Sequence, residues 1–199
     1  MPTYGRMPVT FTKGEGAWLW DQNNKRYLDA LSGIAVCNLG HAHPAIHQAI
    51  SAQSQQLIHT SNLYNIATQE QLATKLCELS GMDNVFFCNS GAEANEAAIK
   101  IARLYGHQKE IDSPAVIVME QSFHGRTMAT LSATGNPKVQ DGFAPLLDGF
   151  IRVPFNDITA IETALKQHEN IVAILVEPIQ GEGGVNIPAP DYLNKIRTL

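Results

Sequence analysis

The chain has 199 residues, 44% of them hydrophobic and 17% charged, against a charged share of roughly 25% in ordinary soluble domains. That composition excludes a mainly disordered chain, and the length suits one domain or one and a part. Fourteen Lys and Arg against 19 Asp and Glu leave a net charge of −5 with no basic run, which argues against non-specific binding to nucleic acid or to an anionic membrane surface.

The first eleven residues lack the apolar centre of a secretory signal. The longest aliphatic stretch, residues 171–176, falls far short of the roughly 18 residues of a membrane span. A cytoplasmic location with reduced cysteines is therefore expected, since Cys37, Cys77 and Cys88 form no CxxC pair. So low a charge also suggests that some surface is hidden against a partner.

In chain order, residues 17–20 and 26–29 flank the polar stretch 21–24, which predicts a small hairpin. Pro44 stands where a helix begins, with Ala45, Ile46, Ala49, Ile50 and Leu57 on one face. From residue 68 the pattern alternates. Thr68 and Gln71 have capping-box spacing ahead of Leu72, Leu76 and Leu79, and Gly81 supplies a stop. Residues 85–88 form a short apolar run, and Ser90 with Glu93 makes a second box ahead of a helix reaching Gly106. Buried strands are predicted over 115–119, 149–153 and 171–176, with a helix over 157–168 and another start over 189–199. Continuous β-branched runs between amphipathic helices predict an α/β fold with a largely parallel sheet flanked by helices. A growing sheet that stops on a fresh helix reads like the front part of something longer.

In such sheets ligands bind where strands end and helices begin. Three turns qualify: 89–92, 121–126 and 177–184. Asn89-Ser90-Gly91-Ala92-Glu93 puts free N–H groups and a helix dipole after an apolar run, which suits an anion such as phosphate. In Ser122-Phe123-His124-Gly125-Arg126, Phe123 offers a flat apolar face and Arg126 a fork for a carboxylate, while His124 is a candidate base without an evident orienting partner. His41, His43 and His47 invite a metal reading, but no HExxH frame or third ligand accompanies them, so a turn feeding a helix is expected and no metal. Neither GxGxxG nor GxxxxGK[ST] occurs, nor do the GxSxG and SxxK nucleophile patterns.

Four stretches together carry a resemblance. They are segment 31–44 ending Gly40-His41-Ala42-His43-Pro44, Asn89 to Asn95, Phe123-His124-Gly125-Arg126-Thr127, and Glu177 to Gly184. In this order and spacing they resemble the class III pyridoxal-phosphate aminotransferases of the aspartate-aminotransferase-like fold (fold type I), best of all the acetylornithine/succinylornithine branch. The resemblance implies that Ser90, Gly91 and Ala92 hold the cofactor phosphate, that Phe123 stacks on its ring beside His124, and that Glu177 lies close to it. It implies that Arg126 binds the substrate carboxylate, that Glu182 screens a second, later arginine, and that Tyr4 lies near the substrate entrance. Ile34 stands where the ornithine branch carries a tyrosine.

The same resemblance implies transamination of N-acetyl-L-ornithine with 2-oxoglutarate by a homodimer, in arginine biosynthesis. Succinylornithine, ornithine and 4-aminobutyrate are the alternative donors, and a non-catalytic chain is a further alternative. It makes residues 1–60 part of a small domain and 61–199 the first part of the large cofactor-binding domain. The Schiff-base lysine is expected beyond Leu199, so none of the catalytic residues is expected here and the 199 residues alone are expected to be inactive.

Overall fold

A computed structural model describes residues 1–199, which form two compact units, Met1–Gly81 and Met82–Leu199. In the first, β1 (Phe11–Glu15), β2 (Trp18–Asp21) and β3 (Arg26–Leu28) make an antiparallel meander. The expected hairpin is β2–β3. Its turn is held by the Asp21 carboxylate, which accepts from the Asn23 and Lys25 N–H groups at 2.8 and 2.9 Å and from the Tyr27 hydroxyl at 3.0 Å. β1 was not expected, because Phe11-Thr12-Lys13-Gly14-Glu15 is too polar to read as a strand. Cross-strand partners hold it: Phe11 meets Tyr27 edge-on at 5.3 Å, and Lys13 lies 4.7 Å over Trp20.

The helical turn α1 (Ser32–Ala35) is left-handed, with φ near +60° at Gly33, Ile34 and Ala35. L-residues resist this conformation, and Asp29 supports it by accepting from the Leu31 and Ser32 N–H groups. The other carboxylate oxygen of Asp29 lies 2.7 Å from His41 Nε2, so His41 is engaged in a clasp that includes the 16–41 backbone bridge. Helix α2 (Pro44–Ser54) starts on Pro44 as expected but ends before Leu57. Helix α3 (Ala67–Ser80) ends on Gly81 at φ +69°. Its N-cap is Ile66, so Thr68 lies inside the first turn and the box read from Thr68 and Gln71 does not form.

In the second unit, β4 (Ala115–Met119), β5 (Phe150–Val153) and β6 (Ile171–Leu175) pair in parallel, in the order β5-β4-β6. Helices α4 (Gly91–Gln108), α5 (Met128–Ala133), α6 (Pro137–Gln140), α7 (Ile158–Gln167) and α8 (Tyr192–Thr198) complete it. Central β4 is buried along its whole length, which explains its unbroken apolar run. Alternate residues feed two cores. Ile117 and Met119 pack with Ile161, Ala164 and Tyr192 from α7 and α8, whereas Val116 and Val118 pack with Ile99, Ala129 and Ala133 from α4 and α5. The sheet is therefore sandwiched between helices.

The apolar run 85–88 ahead of the 89–92 turn forms no strand, because it pairs with nothing in the 199 residues. The helix expected over 189–199 is firmly anchored. Tyr192 is 1% exposed, its ring meets Phe155 edge-on at 5.4 Å, and its hydroxyl lies 3.4 Å from Met119 Sδ.

Candidate active site

The C-terminal end of β4 is a topological switch point. From β4 the chain passes to β5 on one side, then crosses to β6 on the other, and a crevice opens where the two connections diverge. The turns predicted at 121–126 and 177–184 leave the sheet there. The turn at 89–92 is brought to the same place by α4.

The contacts that join them are specific. Glu177 crosses from the end of β6, accepting the Phe123 N–H at Oε2 (2.8 Å) and the Gly181 N–H at Oε1 (3.0 Å). Gln180, fully buried, donates from Nε2 to the Glu120 carbonyl at 2.7 Å. Asn186 Nδ2 is shared by Gln121 Oε1, Gln180 Oε1 and the Gly183 carbonyl. On the other flank Gly125, at φ +135°, is so close that a Cβ there would lie 2.6 Å from Thr130 Oγ1 and 3.0 Å from the Ala92 methyl. Asn95 Nδ2 donates to the His124 carbonyl at 2.8 Å. The 121–126 turn is thus held from both sides.

The anion turn is open. Ser90 caps α4, its hydroxyl accepting from the Glu93 N–H at 3.2 Å, while Glu93 Oε2 accepts from the Asn89 N–H at 2.6 Å, one residue earlier than an ordinary capping box. The N–H groups of Gly91 and Ala92 find no acceptor in the chain. A Cβ built at Gly91 meets nothing within 4 Å. An 18-residue helix dipole, two free donors and space beside a glycine fit a phosphate.

Of the other sequence candidates, Phe123 is half-buried, and Arg126 and Glu182 are exposed. Arg126 has neither an ion pair nor a hydrogen bond from its side chain within the chain. Tyr4 is exposed in the first unit. His124 is only 4% exposed and its Nε2 has no partner. Burial lowers its pKa to about 4, and the Arg152 guanidinium acts in the same direction. It therefore stays neutral at pH 7. An unfolded imidazole takes a proton near pH 6.5, whereas this one resists until about pH 4. His124 thus costs stability progressively as the pH falls between those values. Denaturant midpoints measured across this range should fall more steeply in the parent than in His124→Gln, and parallel profiles would disprove the assignment.

Sequence reasoning missed Asn95, Glu96, Gln180 and Asn186. Each joins segments far apart in the chain, and a lone polar residue in a helix or loop carries no sign of that. It also missed Thr134, whose hydroxyl accepts the His124 N–H at 3.0 Å from within the same segment.

Among known proteins, the class III aminotransferase family model matches residues 1–199. Acetylornithine aminotransferase of Nitrosomonas europaea is 61% identical over all of this chain and 51% of its own length. The solved ornithine aminotransferase of Toxoplasma gondii superposes with a TM-score of 0.94 at 37% identity, over 100% of this chain and 47% of that one. Acetylornithine aminotransferase from Elizabethkingia anophelis gives 0.83 at 35%, over 100% and 46%. The chain spans about half the length of the curated relatives it matches, and pyridoxal phosphate is the cofactor of their class. With the whole chain covered and the fold shared, this protein belongs to the class III aminotransferases.

Proposed function

We propose that this chain supplies the phosphate and carboxylate anchors of an aminotransferase that moves the amino group of N-acetyl-L-ornithine to 2-oxoglutarate. The observation that carries the proposal is the convergence of three turns: Ala92 against Gly125, and Phe123 tied to Glu177. The names of its similar relatives, acetylornithine aminotransferases, support the donor, and the place proposed for the reaction is arginine biosynthesis. Exposed apolar side chains such as Leu63 and Tyr64 suit a homodimer that covers them, and the proposed location is the cytoplasm. In that assembly residues 1–60 belong to the small domain and 61–199 to the large one.

Ser90, Gly91 and Ala92 hold the cofactor phosphate on their N–H and hydroxyl groups. Phe123 covers one face of the ring, His124 carries the loop as a neutral packed side chain, and Glu177 fixes the Phe123 backbone. Arg126 grips the carboxylate of donor and acceptor in turn, Tyr4 lies at the substrate entrance, and Glu182 screens a second arginine. When bound, pyridoxal phosphate supplies an electron sink for the carbon that loses the amino group.

Two measurements test this. With the complete protein and 2-oxoglutarate, N-acetylornithine should give a higher kcat/KM than succinylornithine, ornithine or 4-aminobutyrate. A higher value for ornithine, the substrate named in the Toxoplasma neighbour, would move the assignment to that branch. Gly91→Val should lower pyridoxal-phosphate affinity by about tenfold or more, because its branches fill the space the free N–H groups face. Nothing in the protein opposes that side chain, so the melting temperature should hold. Unchanged cofactor affinity would disprove the phosphate site.

A further inference from the structure

The phosphate turn opens α4, whereas Arg126 lies in a loop ahead of α5. Two neighbouring side chains of α4 join them. Asn95 donates to the His124 carbonyl, two residues before Arg126. Glu96 Oε1 accepts the hydroxyl of Thr127, one residue after it, and more distantly the Thr130 N–H at 3.4 Å. Between these grips Gly125 is pressed against Ala92 and Thr130. One helix therefore holds the chain on both sides of Arg126, by the backbone at His124 and by the side chain at Thr127.

Capping alone does not require Glu96. The first turn of α5 already has a complete box, in which the Thr127 side chain receives the Thr130 N–H and Thr130 Oγ1 accepts from the Thr127 N–H at 3.1 Å. What the carboxylate adds is direction. The two threonine hydroxyls lie 2.7 Å apart and either can donate. An ionised carboxylate only accepts, so it draws the Thr127 proton to itself and leaves Thr127 Oγ1 free to accept. Residue 127 is thereby fixed in one hydrogen-bonded state against α4.

We propose that Glu96 is a positioning residue for the carboxylate site, holding Arg126 at a set offset from the phosphate turn through Thr127. This rests on the reading of Arg126 as the carboxylate anchor. A guanidinium grips a carboxylate on two prongs only if its stem is correctly placed. Loss of Glu96 should therefore weaken donor and acceptor alike, because both present a carboxylate to the same arginine.

The test is a double-mutant cycle in the complete enzyme, using Glu96→Ala, Arg126→Ala and the pair. Glu96→Ala should raise KM for N-acetylornithine and for 2-oxoglutarate about tenfold. Both kcat and pyridoxal-phosphate affinity should stay within about twofold. In the Arg126→Ala background the same change should alter kcat/KM by less than about twofold. Glu96→Gln, which keeps an acceptor, should recover part of the loss, and it replaces the alanine variant if that one fails to fold. Unchanged KM with a lowered melting temperature would make Glu96 a helix support only and overturn the proposal, as would additivity with Arg126→Ala. If Arg126→Ala itself left both KM values unaltered, the anchor reading would fall and take the inference with it.

Discussion

Arg126→Lys in the complete enzyme should lower kcat/KM for both substrates by an amount equivalent to about 2–4 kcal/mol. The charge survives the change, but the planar two-pronged fork does not. The loss should be full-sized because Arg126 has no side-chain partner in the chain to share it with, and because the chain is already held on both sides of it. A lysine cannot recover the geometry by moving the loop, since Gly125 is already jammed between Ala92 and Thr130. Steady-state kinetics in both half-reactions decide it. Values unchanged for donor and 2-oxo acid would remove Arg126 from the substrate site.

Tyr192→Ala should destabilise the protein by about 3–5 kcal/mol, the range for deleting a large buried aromatic ring. The ring is 1% exposed and sits in the core formed by Ile117, Met119, Val153, Ile161 and Ala164, edge-on to Phe155. Burial raises its pKa, so the hydroxyl remains protonated where it faces Met119 Sδ. Tyr192→Phe keeps the ring and should cost much less, as only the hydroxyl's contacts with Met119 Sδ and the Asn156 backbone are lost. Denaturant unfolding of the two variants side by side separates packing from the hydroxyl. Equal losses would show that the polar contact matters more than the volume.

The elements most legible in the sequence were those whose burial is uniform. β4 is enclosed on both faces, so its composition announces it without regard to periodicity. Ser90 caps its helix through its own side chain, as its spacing predicts, and Asp157 does the same at the head of the helix expected over 157–168. Residues 85–88 look the same on paper as β4, but a strand needs a neighbour, and apolar composition does not supply one. The failure at Thr68 has a related cause: a spacing pattern matches in any register, and the chain turned helical two residues earlier. The left-handed turn at 32–35 gave no sign beyond Gly33, because Ile34 and Ala35 take positive φ only under the constraint that Asp29 imposes. For the site, the three turns were legible from strand-to-helix punctuation. Their mutual contacts were not, since Asn95 and Gln180 look like any surface amide until the partner carbonyls are known.

Those contacts also set the order in which the site comes into being. The Ser90–Glu93 cap closes across three residues, whereas the bonds that join the turns span 29 residues for Asn95 and His124 and 54 for Phe123 and Glu177. They reach 60 for Gln180 and Glu120 and 65 for Asn186 and Gln121. Each such closure must overcome the entropy of the loop it encloses before any contact rewards it. A growing chain therefore displays its anion turn early, at the head of a helix that forms locally. The 121–126 turn can then dock on α4 once residue 130 has emerged, and gains its grip on the other flank only when residue 186 is out and β6 has crossed to the far side of β4. Ligand affinity then arises as one late step of folding.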